Sequence, residues 1–180
     1  MNTLHIFDFD DTLVRSDSRV VVKSLDGDLI NMTSEQFASY IEQPGDVLDF
    51  SDFEKYPVNP QIIEPVFGEL RAAIALDGVN NTVILTARSN PSPVQAFLKH
   101  HRIPSIHVEA VGSSDPMAKA SYILERLNND KTIDEVRVFE DNVRNIRTIK
   151  RVMTTSGVML KTNRVVNGKV QNEDQNEQEA

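Results

Sequence analysis

Residues 4–12 read Leu4-His5-Ile6-Phe7-Asp8-Phe9-Asp10-Asp11-Thr12. A short apolar run opens the chain, is broken by Asp8 and ends in further acids; its length and composition predict a buried strand from Leu4 to Phe9. Burying a single carboxylate costs several kcal/mol unless something compensates it, and here Asp8, Asp10 and Asp11 follow one another closely. Oxygen ligands of this kind suit a hard divalent cation such as magnesium. Asp8 and Asp10 are two residues apart, so they project to the same side for as long as the extended conformation persists. The other account of the same residues is a strand end that fans its acids into solvent around a turn.

Outward from this stretch, Thr82–Leu85, Ile106–Val111 and Val136–Phe139 are further apolar runs of strand length. Between them the apolar residues recur at helical spacing: Ile62, Ile63, Val66, Phe67, Leu70, Ala73 and Ile74; then Val94, Phe97 and Leu98; then Met117, Ala120, Ile123, Leu124 and Leu127. The start of the third is marked by Ser113, Ser114 or Asp115 as cap, with Pro116 at the first helical position. Strands alternating with helices predict an α/β protein, a doubly wound parallel sheet covered on both faces. Residues 14–60 break the alternation. Val20–Val22, Asp26-Gly27 and Leu29-Ile30 read as a hairpin, and Thr33 with Gln36 three residues on reads as a capped helix start. This stretch is expected to be a small insertion over the sheet edge within a single domain of residues 1–170. Val158–Leu160 is a further candidate strand, with a hairpin turn expected around Asn167-Gly168. Residues 171–180 offer almost nothing to bury and are expected to be a disordered acidic tail. No internal repeat is present.

The chain has 180 residues, about 39% of them hydrophobic, and a net charge of -8. That size suits one domain with a modest insertion. The acidic balance does not favour nucleic acid as a partner, since phosphate backbones are held by basic surfaces. With no cysteine, disulfides, thiolate metal sites and a cysteine nucleophile are excluded. The first residues lack the positive run of a signal peptide, and no apolar stretch approaches the roughly 20 residues that span a bilayer. A cytoplasmic protein without a membrane partner is the expectation.

Three later strand or helix boundaries carry polar residues of a related kind. Val83-Ile84-Leu85-Thr86-Ala87-Arg88 ends an apolar strand in a hydroxyl. Lys119 lies in the first turn of the helix opened by Asp115-Pro116, where the helix N-terminus adds its own positive potential. Val136-Arg137-Val138-Phe139-Glu140-Asp141 again closes a strand in acids, ahead of a helix that carries Asn145. Taken in this order, Asp8-Phe9-Asp10-Asp11-Thr12, Thr86, Lys119 and Glu140-Asp141 resemble the motifs of the haloacid dehalogenase superfamily, over roughly Leu4 to Val152. The resemblance implies a magnesium-dependent phosphatase. In it Asp8 attacks phosphorus to form an acyl phosphate, and Asp10 protonates the leaving oxygen and then deprotonates the hydrolytic water. It further implies that Thr86 and Lys119 hold the phosphoryl group, with Arg88 as an additional contact. The metal would be held by Asp8, the backbone carbonyl of Asp10 and Asp141, with Glu140 and Asn145 as further candidates. Asn145 stands where many relatives have Asp. The insertion at 14–60 would be a small cap that leaves the site open.

A receiver domain of the response-regulator type also combines acids, Thr and Lys, but there the Lys is on the last strand, whereas Lys119 precedes Glu140-Asp141. A phosphate-cradling Gly-x-x-x-x-Gly-Lys-Ser/Thr loop is missing, which argues against a polynucleotide kinase. The phosphorylated substrate is open between nucleotide or nucleic-acid ends and a small sugar or nucleotide phosphate, with Arg15, Arg19 and Lys23 as candidate contacts from the insertion. A catalytically silent binding protein on the same fold is the alternative of a different class.

Overall fold

The computed structural model describes residues 1–172. It opens with β1 (Thr3–Phe7) and β2 (Val14–Arg15), followed by β3 (Arg19–Lys23), β4 (Leu29–Thr33), α1 (Ser34–Ala38), β5 (Val47–Asp49) and β6 (Gln61–Ile62). Helices and strands then alternate: α2 (Glu64–Asp77), β7 (Thr82–Thr86), α3 (Ser92–His100), β8 (His107–Ala110), α4 (Pro116–Asn129), β9 (Glu135–Glu140) and α5 (Val143–Met153). The hairpin of β10 (Met159–Val166) and β11 (Lys169–Asn172) follows.

The main sheet has six strands in the order β11-β10-β9-β1-β7-β8. All its neighbouring pairs are parallel except β10 with β11. Buried on both faces, β1 alternates its side chains between two cores. Leu4 and Ile6 join Val83, Leu85, Val136 and Val138 under α4 and α5. Phe7 joins Ile84 and Phe139 under α2 and α3, with the rings of Phe7 and Phe139 stacked at 4.7 Å. Helices thus cover both faces, as the alternation of strand and helix predicts.

Chain order moves from β1 outward to β7 and β8, then returns to β9 and β10 on the other side of β1. The point where the direction reverses lies beside β1, and the crevice outside the carboxyl ends of such strands is where open α/β sheets bind ligands. The register puts Phe7 against both Ile84 and Phe139, so residues 8, 86 and 140–141 all emerge at this one rim.

The antiparallel pair β2–β6 forms the neck of the insertion. Beyond it β4-β3-β5 make a three-stranded sheet with a small core of its own, Val20, Val22, Met32 and Phe53. The capping box at Thr33 is formed, its hydroxyl accepting from the Gln36 N–H. The insertion does not lie over the sheet edge as the sequence suggests. It stands above the central carboxyl ends, because its neck follows directly on β1. At the other end, β10 is longer than expected and runs through Lys161–Arg164, polar residues that an apolar-run reading passes over; Thr162 and Asn163 are buried. The turn at Asn167-Gly168 is as expected. Gln171 and Asn172 belong to β11, since their backbone pairs with Arg164 and Asn163, so the chain is ordered two residues further than the tail reading has it. The rest of the expected tail lies outside the described residues. Among the described residues no helix is long and apolar enough to cross a membrane.

Candidate active site

Asp8 directly follows β1, and its backbone N–H donates to the Phe139 carbonyl at 3.0 Å, which fixes the end of β1 against β9. Its side chain is buried, at 9% exposure. Lys119 Nζ donates to Asp8 Oδ1 at 2.7 Å and to Glu140 Oε2 at 2.8 Å. Lys119 arrives there because Asp115 caps α4, accepting from the Met117 N–H at 2.9 Å, and Pro116 begins the helix; of the three cap candidates, Asp115 is the one used. On the other side Thr12, fully buried, donates its hydroxyl to Asp8 Oδ2 at 2.8 Å and approaches Asp141 Oδ1 at 3.3 Å.

Asp8, Glu140 and Asp141 offer oxygens that all lie within 4.8 Å of one another. Three carboxylates therefore face one ammonium. Burial, then the charge of Glu140, push the Asp8 carboxyl above its ordinary range, with Lys119 opposing. Burial, then the charges of Asp8 and Glu140, push Asp141 well above it. For Glu140 burial acts upward too, but Lys119 and the hydrogen bonds outweigh it and hold the group low. Burial alone would lower Lys119; its two carboxylate partners instead hold it firmly protonated. The excess of negative charge in the cluster is what a cation would neutralise, so the donor set could hold a metal ion. Glu140 has its oxygens engaged by Lys119 and by the Asn142 N–H at 3.0 Å. It orients Lys119 and is also one of the three carboxylates whose oxygens could share a metal ion, a double role the adjacent Glu140-Asp141 pair cannot convey by spacing.

Asp10 and Arg88 depart from what the resemblance implies. Arg88 Nε and Nη2 donate to the two Asp10 oxygens, each at 2.8 Å. Its Nη1 donates to the carbonyls of Phe53 and Lys55 at 3.0 and 3.1 Å, and the guanidinium stands over the rings of Phe9 and Phe53. Arg88 is thus committed to the protein itself rather than held ready for phosphate, and it ties the insertion to the core. Thr86 ends β7 and is buried, but its Oγ1 accepts from the Arg88 N–H at 3.2 Å; Ala87, Arg88 and Ser89, not Thr86, form the cavity wall. Asn145, buried in the first turn of α5, does line the cavity.

Compared with known proteins, the chain matches no family model, no curated protein and no solved structure.

The cavity above Asp8 measures about 380 Å³, within the usual range for small-molecule sites. Asp8, Asp10, Lys119, Glu140 and Asp141 form its floor, and residues of the insertion close its far side. Two further ties join insertion and core at the rim. The Ser34 hydroxyl donates to Asp11, and the Ser89 hydroxyl donates to Glu54. Of the insertion cations named from sequence, Arg15, Arg19 and Lys23, none lines this cavity; Arg15 borders a smaller neighbouring one. Sequence reasoning assigned no role to Thr12, although its place four residues after Asp8 was the available signal. Ser34, Phe37 and Phe50 were invisible as cavity residues because only the fold of the insertion brings them over Asp8.

Proposed function

We propose that the chain is a magnesium-dependent phosphomonoesterase of the haloacid dehalogenase superfamily that works through a phosphorylated Asp8. The observation that carries this reading is the buried cluster of Asp8, Lys119, Glu140 and Asp141 at the floor of a cavity on the sheet's carboxyl rim. The insertion would be the cap of such an enzyme.

Asp8 and Asp141 would hold the cation, together with the Asp10 carbonyl. When bound, the cation offsets the repulsion between an anionic nucleophile and an anionic ester. A carboxylate oxygen of Asp8 forms a bond to phosphorus as the ester P–O bond breaks, and the departing oxygen takes a proton. Water then attacks the same phosphorus, its proton is removed, and Asp8 is released as carboxylate with inorganic phosphate. Splitting the reaction in two is covalent catalysis. Lys119 keeps one Asp8 oxygen in place and supplies positive charge where negative charge develops. Glu140 holds Lys119 by an ion pair in which both side chains are buried. Asp10 is the group for both proton transfers, worth typically about 10² to 10⁴ in rate; it can act only after one arm of Arg88 has let go.

That closed pair favours a second reading, a phosphate-binding protein without turnover. One assay separates the two. Purified protein with magnesium and a chromogenic phosphate ester turns over, and Asp8→Asn, still folded by circular dichroism, does not. Absence of turnover across a broad panel of phosphate esters overturns the enzyme.

A further inference from the structure

The cavity has two unlike halves. Its floor is charged, while the side supplied by the insertion is mainly apolar: Val20, Phe37, Ala38, Phe50 and Phe53, with its two polar residues, Ser34 and Glu54, engaged at the rim with Asp11 and Ser89. Phe37 and Phe50 meet edge to face with ring centroids 5.3 Å apart. Phe50 does not belong to the insertion's buried core and remains 39% exposed, so packing within the insertion does not account for a phenyl ring at that wall. An apolar aromatic surface held open opposite a phosphate-handling floor has the character of a binding surface.

We propose that this wall is a leaving-group subsite selecting phosphate esters that carry a flat ring, nucleoside or aryl, over esters of a polyhydroxylated sugar. The inference rests on the phosphatase reading and deepens it. An ester whose phosphorus sits over Asp8 must place its leaving group upward, against Phe37 and Phe50. A planar ring finds there faces and edges to stack on. Sugar hydroxyls driven against Phe37 and Phe50 would lose water and gain no hydrogen-bond partner from those rings. The wall therefore discriminates by what it fails to offer as much as by what it offers.

Two measurements test this. In the first, kcat/KM is compared with magnesium present for nucleoside monophosphates, phenyl phosphate, ribose 5-phosphate and glucose 6-phosphate. Ring-bearing esters are expected to lead by about tenfold or more. In Phe50→Ala, partly exposed and therefore tolerant, the ring-to-sugar ratio should collapse toward one, mainly through KM. A nucleoside lead over phenyl phosphate assigns the ring to a base, and parity assigns it to any arene. Equal rates for sugar esters, or a Phe50→Ala loss shared by all substrates, overturn the subsite. In the second, ligand-observed NMR follows binding of adenosine and of phenol, neither of which needs turnover. Binding lost in Phe50→Ala, in a protein that hydrolyses nothing, would keep the subsite while removing the enzyme. Absence of binding by both, together with absence of ring preference, removes the subsite whether or not the enzyme stands.

Discussion

Asp8 and Asp10 leave the same strand end two residues apart, and each meets a buried cation, yet the two pairs do different work. Asp8 meets Lys119, a point charge on the core helix α4 that is shared with Glu140. Asp10 meets Arg88, whose fork takes both carboxylate oxygens while its other arm reaches two carbonyls of the insertion. The ammonium takes one oxygen of Asp8 and the Thr12 hydroxyl the other, with the carboxylate still lining the cavity. The guanidinium closes Asp10 and fastens the insertion over it. Lysine and arginine are not interchangeable in these positions: the first is shared between two carboxylates at the cavity floor, and the second makes a latch.

Breaking the Lys119 pair should have the largest effect. Lys119→Met leaves Asp8, Glu140 and Asp141 buried without a cation, at a cost of about 3–5 kcal/mol, or roughly 10 °C in melting temperature for a chain of this size. Turnover should fall with it. Added magnesium should raise the melting temperature of this variant more than that of the parent, since only the metal then remains to neutralise the cluster; an equal rise in both would show that the cation does not bind there. Arg88→Ala should cost less, about 2–3 kcal/mol, because two of its three partners, the Lys55 carbonyl and the Asp10 carboxylate, are only partly buried. Its signature is local: faster proteolysis within residues 16–60, with turnover retained, because Lys119 and Asp8 are untouched and Asp10 is released from its partner. Uniform loosening of the whole chain would contradict the latch. Thr12→Val, which removes the hydroxyl between Asp8 and Asp141, should cost about 1 kcal/mol in a urea melt.

The core half of this comparison was legible in the sequence, and the latch was not. Asp8, Lys119 and Asp141 each stand at the end of an apolar run or the start of a capped helix, so local pattern alone marks where they emerge, and parallel strands in register bring them to one rim. Arg88 also stands after a strand. Its partners, however, are main-chain carbonyls of a segment more than thirty residues away, and carbonyls carry no signature in a sequence. The start of β10 was legible as the apolar run Val158–Leu160, but its polar middle was not, since Thr162 and Asn163 are buried in a stretch whose polarity argues against a strand. The helix start at Thr33 was readable from its capping residues, but Phe37 as the wall of a cavity was not, because that depends on how the neck β2–β6 folds the insertion back over Asp8.

Asp11, the third acid of the opening stretch, differs from Asp8 and Asp10, because among the described residues its side-chain partner is not a cation but the Ser34 hydroxyl, which donates to it. Burial, opposed by that hydrogen bond, pushes its carboxyl from an ordinary 3.8 up to about 6. The folded chain therefore holds a proton at Asp11 that the unfolded chain has already released between these values, so this group makes stability fall as pH rises through the interval. Its contribution is most favourable below the unfolded value and is lost above about pH 6. Asp11 also has a φ of 62°, a conformation that asparagine adopts readily. Asp11→Asn, measured with a chelator present, should accordingly be more stable than the parent at about pH 8, by on the order of 1 kcal/mol once solvent screening is allowed for. The two should converge at about pH 4. A gain of the same size at both would mean that shape or hydrogen bonding, not the missing cation, distinguishes Asp11 from its neighbours Asp8 and Asp10.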